Sequence, residues 1–367
     1  MFGVHYKFGF GCMRLPQKDG GIDLETFSRM VDEFLANGFN YFDTAHGYHG
    51  GKSEVALCEC LTKRYPREQY ILTDKLSTFH FDSEEEIRPL FETQLQTLGV
   101  EYLDFYLMHA QDEKIFEKYK KCSAYETALE LKKEGKVKHV GLSFHDKAEV
   151  LDRILTEYPE MEVVQIQLNY LDFEDPAVQS KKCYEVAQKH GKPVIVMEPV
   201  KGGNLADLPD DAAKVFDALG SASYASYALR FAAGLEGVLA VLSGMSDLAM
   251  TCDNIRTMKD FRPLDEKETA AVEEVCRVFR GKNLIPCTAC RYCTEKCPRK
   301  IPIPDLFACM NAYKNFHNWN NKYYYNLHTA SGGKASSCVG CGNCEYICPQ
   351  HLPVRSLLKE VAEAFES

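Results

Sequence analysis

Nothing in these 367 residues is apolar for long enough to span a bilayer. The opening Met-Phe-Gly-Val-His-Tyr-Lys has none of the apolar core of a secretory signal. A surplus of positive charge is also missing. The formal net charge is −10, whereas a nucleic-acid partner demands a basic face, so none is expected. The acidic residues are spread along the chain rather than massed in a tail, which reads as ordinary solubility. No dinucleotide fingerprint is present, because Gly9-Phe-Gly11 lacks its third glycine. No flavin signature is seen, and no internal repeat apart from one built of cysteine. The expectation is a cytoplasmic chain without nucleic-acid or membrane partners, large enough for one big core and a smaller unit.

Cysteine, by contrast, is abundant, with 16 residues. In a long chain from a reducing compartment metal binding is the better expectation than disulfides. Eight cysteines form two identical patterns: Cys287-x-x-Cys290-x-x-Cys293-x-x-x-Cys297-Pro298 and Cys338-x-x-Cys341-x-x-Cys344-x-x-x-Cys348-Pro349. Three thiolates two residues apart wrap one [4Fe–4S] cubane, and the fourth, ahead of a proline, leaves the loop. Structural zinc prefers two separated Cys-x-x-Cys knuckles and fits this spacing poorly. The segment resembles bacterial two-cluster ferredoxins over about 65 residues. That resemblance implies two clusters with exchanged fourth ligands: Cys287, Cys290, Cys293 and Cys348 on one, Cys338, Cys341, Cys344 and Cys297 on the other. An insert at 313–334, rich in Tyr, Asn and Lys around Trp319, separates the motifs. It is either a surface loop or a segment that docks on the rest of the protein.

Upstream, short β-branched or aromatic runs alternate with longer amphipathic ones. Strands are expected at 9–13, 41–43, 70–73, 103–108, 138–143, 163–168, 194–198 and 238–242. Helices are expected at 24–37, 83–98, 124–133, 148–157, 176–189, 223–233 and 249–258. Ser83 with Glu86 makes a capping box, and Asn37-Gly38 a stop. The count is that of an α/β (β/α)₈ TIM barrel over residues 1–262, with a doubly wound sheet as the alternative. A connecting helix at 263–282 leads to a small ferredoxin-like domain at 283–367.

Barrel chemistry sits at the carboxyl ends of strands, where Asp43, Tyr48, Lys75 and His109 fall. Each alone has an ordinary reading: helix cap, loop residue, surface lysine, core histidine. Together, in Asn40-Tyr-Phe-Asp-Thr-Ala-His-Gly-Tyr48, Ile71-Leu-Thr-Asp-Lys75 and Tyr106-Leu-Met-His109, they resemble the tetrad of the aldo-keto reductases. Gly51-Lys-Ser-Glu54, Gly135-Lys-Val-Lys-His-Val-Gly-Leu-Ser143 and Ser243-Gly-Met-Ser246 extend the resemblance across about residues 3 to 260. It implies an oxidoreductase that reduces an aldehyde or ketone with NADP or NAD. Tyr48 would be the proton donor, tuned toward phenolate by Lys75 and Asp43, and His109 would orient the carbonyl. It also implies that Ser143 and Gln165 hold the nicotinamide carboxamide and that Met197 lies beside the ring. Val200, Lys201, Gly202, Gly244, Met245 and Ser246 would cradle the phosphates, with Asn254 downstream. Phe144, Met197 and Met250 stand where the family often has asparagine, an aromatic ring and a phosphate-gripping arginine. A thioether packs on a ring but cannot pair with a phosphate. Met13, Phe79 and His80 are expected near the substrate.

Hydride carries two electrons, whereas each cluster passes one. Three arrangements follow: a nicotinamide-dependent carbonyl reductase with structural or electron-transferring clusters; a reductase fed by a ferredoxin or other redox partner; or an electron carrier whose barrel is a scaffold. The tetrad argues against the third, since a proton donor is wasted on a scaffold.

Overall fold

In the computed structural model the β-branched runs become eight strands: β1 (Phe8–Gly11), β2 (Tyr41–Asp43), β3 (Ile71–Leu76), β4 (Leu103–Gln111), β5 (Val137–Phe144), β6 (Val163–Gln167), β7 (Val194–Met197) and β8 (Val238–Gly244). All residues are described save 176, 177, 221, 282, 283, 288, 290, 317, 318, 331 and 349, with the backbone alone for Phe316, Trp319, Asn320 and Tyr323. The strands pair in parallel in chain order, and β1 bonds to both β2 and β8. That closure rules out the doubly wound alternative, whose sheet keeps two free edges. Cysteine Cys290 and proline Pro349 of the two motifs lie outside the described residues, as do positions 176 and 177 at the start of an expected helix.

Helices among the described residues are α1 (Leu24–Ala36), α2 (Lys52–Leu57), α3 (Ile87–Leu98), α4 (Glu113–Lys121), α5 (Ala124–Lys133), α6 (Ala148–Glu157), α7 (Ser180–Lys189), α8 (Asp210–Asp217), α9 (Tyr224–Gly234) and α10 (Leu248–Lys259), of which α8 belongs to the second compact unit. Local chemistry sets their ends. Asp23 accepts a hydrogen bond from Thr26 N ahead of α1, and α1 stops at Asn37 with Gly38 left-handed. The Ser83–Glu86 capping box forms ahead of α3 as expected. Helix α4 is the main departure from the sequence reading. No element is expected over its Glu-Lys-rich run, yet Asp112 caps it and Phe116 and Tyr119 are buried beneath it. Strand β1 ends two residues before the expected Met13, which is exposed.

Two apolar shells hold the barrel. Tyr41, Ile71, Phe105, Leu107, Val163 and Ile195 fill its interior, and a larger layer between strands and helices includes Phe10, Phe34, Phe42 and Met108. Glycine is required where these shells crowd the backbone. A Cβ on Gly141 would lie 2.4 Å from Val163 O, and one on Gly9 2.7 Å from both Tyr41 and Leu242. The Gly9-Phe-Gly11 stretch is thus a packing device of the first strand.

The chain divides into two compact units, Met1–Asp207 with Ser221–Thr269, and Leu208–Gly220 with Ala270–Ser367. The division falls inside α11 (Glu266–Gly281), later than the expected 262. The second unit is helical, with α12 (Tyr292–Glu295), α13 (Ile303–Phe316), α14 (Trp319–Thr329), α15 (Asn343–Ile347) and α16 (Val354–Phe365). Its core gathers Ile301, Leu306, Phe307, Val354, Leu358 and Phe365. The insert between the cysteine motifs is largely α14 rather than a loop. Its Tyr325 is buried, stacks on Phe365 with centroids 4.9 Å apart, donates to Glu366 Oε1 at 2.5 Å and accepts from Ala335 N at 3.0 Å. These bonds fasten the approach to Cys338 within the same unit.

Candidate active site and cysteine centres

The four expected residues converge at one end of the barrel. Asp43 is the last residue of β2, in register with Thr73, and Lys75 lies two residues farther along the adjacent β3, as its penultimate residue. Lys75 is fully buried. Its Nζ donates to Asp43 Oδ1 at 2.6 Å and to Thr44 O at 2.6 Å, and lies 5.1 Å from the centroid of the Tyr48 ring. Asp43 Oδ2 accepts from Gln165 Nε2 at 2.9 Å. An ammonium out of water is tolerable only with such partners.

Tyr48 stands on a tight turn that its flanking sequence ties down. His49, Gly50 and Gly51 all take positive φ. Ser53 Oγ donates to Cys12 O at 2.9 Å, and His46 Nδ1 meets both oxygens of the buried Glu54 at 3.0 Å. The Gly51-Lys-Ser-Glu54 segment therefore fixes the Tyr48 loop. Burial pushes the Tyr48 hydroxyl above its ordinary pKa, and the Lys75 ammonium opposes this without reversing it. Lys75 acts in the expected direction, toward phenolate, but burial outweighs it. Lys75 itself is disfavoured as a cation by burial, but Asp43 more than restores it and raises its pKa.

His109 sits at an irregularity in β4. The register slips between Met108 and Gln111, and Ala110 has φ +53°. Such a bulge turns a side chain out of the alternation of the strand. Ala110 N donates to Ser143 Oγ at 2.7 Å, which anchors the bulge. The His109 ring lies 6.0 Å from that of Tyr48, edge to face, with Nδ1 2.6 Å from Ser77 Oγ. Burial, and then the Lys75 charge, hold His109 well below the ordinary imidazole pKa, so the ring is neutral. The partners Thr44 and Ser77 escaped the sequence reading, because short side chains and backbone oxygens carry no motif.

The expected nucleotide contacts are less uniform. Ser143, the penultimate residue of β5, and Gln165, midway along β6, are buried and paired in register, and Gln165 bonds Asp43. Met197 closes β7 and is half-buried. Val200, Lys201 and Gly202 form a turn after β7, and Gly244, Met245 and Ser246 lead from β8 to α10. Asn254 Nδ2 donates to Ser243 Oγ at 3.1 Å. Lys201 is not free for a phosphate, since its Nζ is spent on Asp172, 2.6 and 2.7 Å from the two carboxylate oxygens. Asp247 accepts from Met250 N at the start of α10, which adds a carboxylate there. The sequence reading missed Arg14. Its side chain lies across Gly244, 3.2 Å from where a Cβ would stand, and among the described residues it has no ion pair. Phe79 and Met13 are exposed, and His80 packs edge to face on His46, centroids 4.7 Å apart.

In the second unit one small pocket is lined by Cys297, Cys338, Cys341 and Cys344, and another by Cys287, Cys293 and Cys348. Among the described residues no three His, Cys, Asp or Glu side chains converge tightly enough for a single metal ion. The fourth cysteine of each motif thus lines the pocket of the other motif's cysteines.

Residues 7–277 match the model of the Aldo/keto reductase family. The chain belongs to this family. Residues 286–352 match the 4Fe-4S dicluster domain. The chain is 27% identical over 220 residues to the NADH-specific methylglyoxal reductase of Escherichia coli, a match that covers 54% of this chain and 65% of that protein. It is 34% identical over 155 residues to probable aldo-keto reductase 1 of Glycine max, covering 37% of this chain and 41% of the relative. The chain thus spans less than two thirds of the length of either. The barrel superposes on the holo form of an aldo-keto reductase from Bacillus halodurans with a TM-score of 0.59 at 26% identity, covering 73% of this chain and 91% of the other. A Klebsiella pneumoniae aldo/keto reductase in complex with NADP and acetate shares the fold, with a TM-score of 0.61 at 19% identity over 73% of this chain and 90% of the other. The chain therefore joins an aldo-keto reductase family barrel to a C-terminal segment that matches a 4Fe-4S dicluster domain.

Proposed function

We propose that the barrel interconverts a carbonyl and an alcohol, with Tyr48 as the proton donor. The observation that carries this is the buried Lys75–Asp43 pair at 2.6 Å beside a tyrosine that stays protonated. In the reducing direction a protonated phenol is the useful form. The substrate oxygen becomes an alkoxide as its carbon is reduced, and Tyr48 transfers its proton to it while Lys75 stabilises the phenolate left behind. His109 is neutral. With the Ser77 hydroxyl donating to Nδ1, its remaining proton sits on Nε2 and can hydrogen-bond and polarise the carbonyl.

The electron donor in this reading is NADH or NADPH, which when bound supplies hydride to the carbonyl carbon. The ring end of such a site fits: Gln165 Oε1 and the Ser143 hydroxyl are polar groups beside the tetrad. At the phosphate end Arg14 takes the part expected of Lys201. The reading fails if anaerobic protein, offered NADH or NADPH with a panel of aldehydes, ketones and 2-oxoaldehydes, oxidises neither nucleotide, or if Tyr48→Phe turns over as fast as the parent.

The eight motif cysteines hold two [4Fe–4S] clusters with exchanged fourth ligands in the same proposal. The grouping of Cys297 with Cys338, Cys341 and Cys344, and of Cys348 with Cys287 and Cys293, supports the exchange; Cys290 completes the second set by its spacing. A second reading has the clusters feed electrons from a redox partner. The neutralised Lys201 favours it, because it weakens the nucleotide site. Turnover with reduced ferredoxin but with no nucleotide would select it.

A further inference from the structure

The sign of the charge reverses around one cysteine set. In a chain of net charge −10, the stretch from Cys287 to Lys300 carries Arg291, Lys296, Arg299 and Lys300 against the single carboxylate Glu295. The second motif, Cys338 to Cys348, carries only Glu345, which Arg355 neutralises at 2.8 Å. Lys296, Arg299 and Lys300 are exposed and make no ion pair among the described residues. Arg291, the fourth, is held by Asp305 at 2.8 Å.

The fold brings a further cation to this stretch. Gly333 N donates to Lys300 O at 3.2 Å, and a Cβ on Gly333 would lie 2.4 Å from Arg299 O. A Cβ on Gly332 would lie 2.7 Å from Lys300 O. Only glycines let the two backbones run this close, and they set Lys334 beside Arg299 and Lys300. Lys334 is exposed and makes no ion pair among the described residues; Glu366, whose carboxylate its charge favours, is already bonded to Tyr325 and Ser336. Arg299 also lines the cavity of Cys297, Cys338, Cys341 and Cys344, as does Val339, an exposed apolar side chain. A small apolar centre with a basic rim at a cysteine centre has the make-up of a transient protein interface.

We infer that Lys296, Arg299, Lys300 and Lys334, around Val339, form the docking face for an acidic one-electron carrier protein that exchanges electrons with the cluster of Cys297, Cys338, Cys341 and Cys344. The inference rests on the cluster reading above. The carrier gives up one electron, the cluster gains it, and no bond or proton need move. Electrostatic steering by such a face accelerates encounter and weakens as salt rises.

The test uses the full chain with its clusters, prepared anaerobically, and a small acidic ferredoxin as probe. Binding is followed by interferometry, and cluster reduction by stopped-flow bleaching. Affinity and reduction rate should fall about tenfold or more between about 20 and 300 mM salt. The combined change Lys296→Glu, Arg299→Glu, Lys300→Glu and Lys334→Glu should lower both about tenfold at low salt. Reduction by dithionite alone, and iron and sulfide content, should not change. If that variant loses iron, the milder set of four Lys or Arg→Gln changes replaces it, with a smaller loss in the same direction. Salt-independent binding, unchanged binding by an iron-replete variant, or equal affinity for duplex DNA or anionic vesicles would overturn the inference. Parent protein that lacks iron altogether would overturn the cluster reading with it. Clusters that bleach with dithionite beside no ferredoxin binding would overturn this inference alone.

Discussion

Replacing Asp43 by asparagine removes one charge from the centre of the site and nothing else of note. Both carboxylate oxygens are used, Oδ1 by Lys75 at 2.6 Å and Oδ2 by Gln165 at 2.9 Å. Asparagine offers one acceptor and one donor. Gln165 can turn its amide to meet the new N–H, but Lys75 has only donors, so the oxygen must face Lys75. The hydrogen bonds survive in number and the counter-charge is lost. Lys75 is fully buried, and removing one partner of a buried pair costs about 3–5 kcal/mol. For a barrel of this size that is a melting point lower by roughly 6–20 °C. Burial then dominates the Lys75 pKa and depresses it. The variant should therefore recover part of the loss as pH rises through that lowered value, where a neutral lysine becomes accessible. Adding Lys75→Met removes the stranded charge, so the double variant should melt above Asp43→Asn while remaining as inactive. Calorimetry of anaerobic protein across pH reads all three effects. An Asp43→Asn melting point within about 2 °C of the parent, or a double variant no more stable than the single, would refute the reasoning.

His109 is neutral, with its pKa held well below the ordinary value. As pH falls below about 6.5 the unfolded chain takes up that proton first, so stability should decline there, and His109→Gln should shrink the slope in the melting-point profile between about pH 5 and 6.5. The raised pKa values of Tyr48 and Lys75 work at the other end. The unfolded chain loses those protons first above about pH 10, so stability falls as pH rises past that point. Arg14→Gln should raise the KM for NADH about tenfold with little change in kcat, whereas Met250→Arg should improve NADPH relative to NADH by about as much, both read in steady-state assays. Iron analysis should find about eight irons per chain. If the fourth ligands are exchanged, Cys297→Ser with Cys341→Ser damages one cluster, whereas Cys297→Ser with Cys290→Ser damages both.

Much of this was legible in the sequence because the relevant signals are local. Strand β2 and helices α5 and α6 fall at their expected residues, since period and caps decide them. Asp43, Tyr48, Lys75 and His109 could be read from strand ends and family text. What escaped depends on contacts distant along the chain. The Lys201–Asp172 pair joins the turns after two strands, and nothing near Lys201 in sequence announces that its charge is spent. Arg14 reaches Gly244, at the far end of the barrel sequence. The state of Tyr48 could not be read either, because the balance of burial against Lys75 is set by packing. Helix α4 hid behind its charged composition, and α14 behind a run of Tyr and Asn that looks like loop.

The most direct test of the central claim is alcohol formation by the iron-replete protein under anaerobic conditions, measured by product analysis beside the Tyr48→Phe variant. Carbonyls are supplied with NADH, NADPH or reduced ferredoxin in turn. The account predicts alcohol from the parent with at least one donor. Tyr48→Phe should lose about a hundredfold or more, at unchanged iron content and fold. Equal alcohol yield from the parent and from Tyr48→Phe would contradict it.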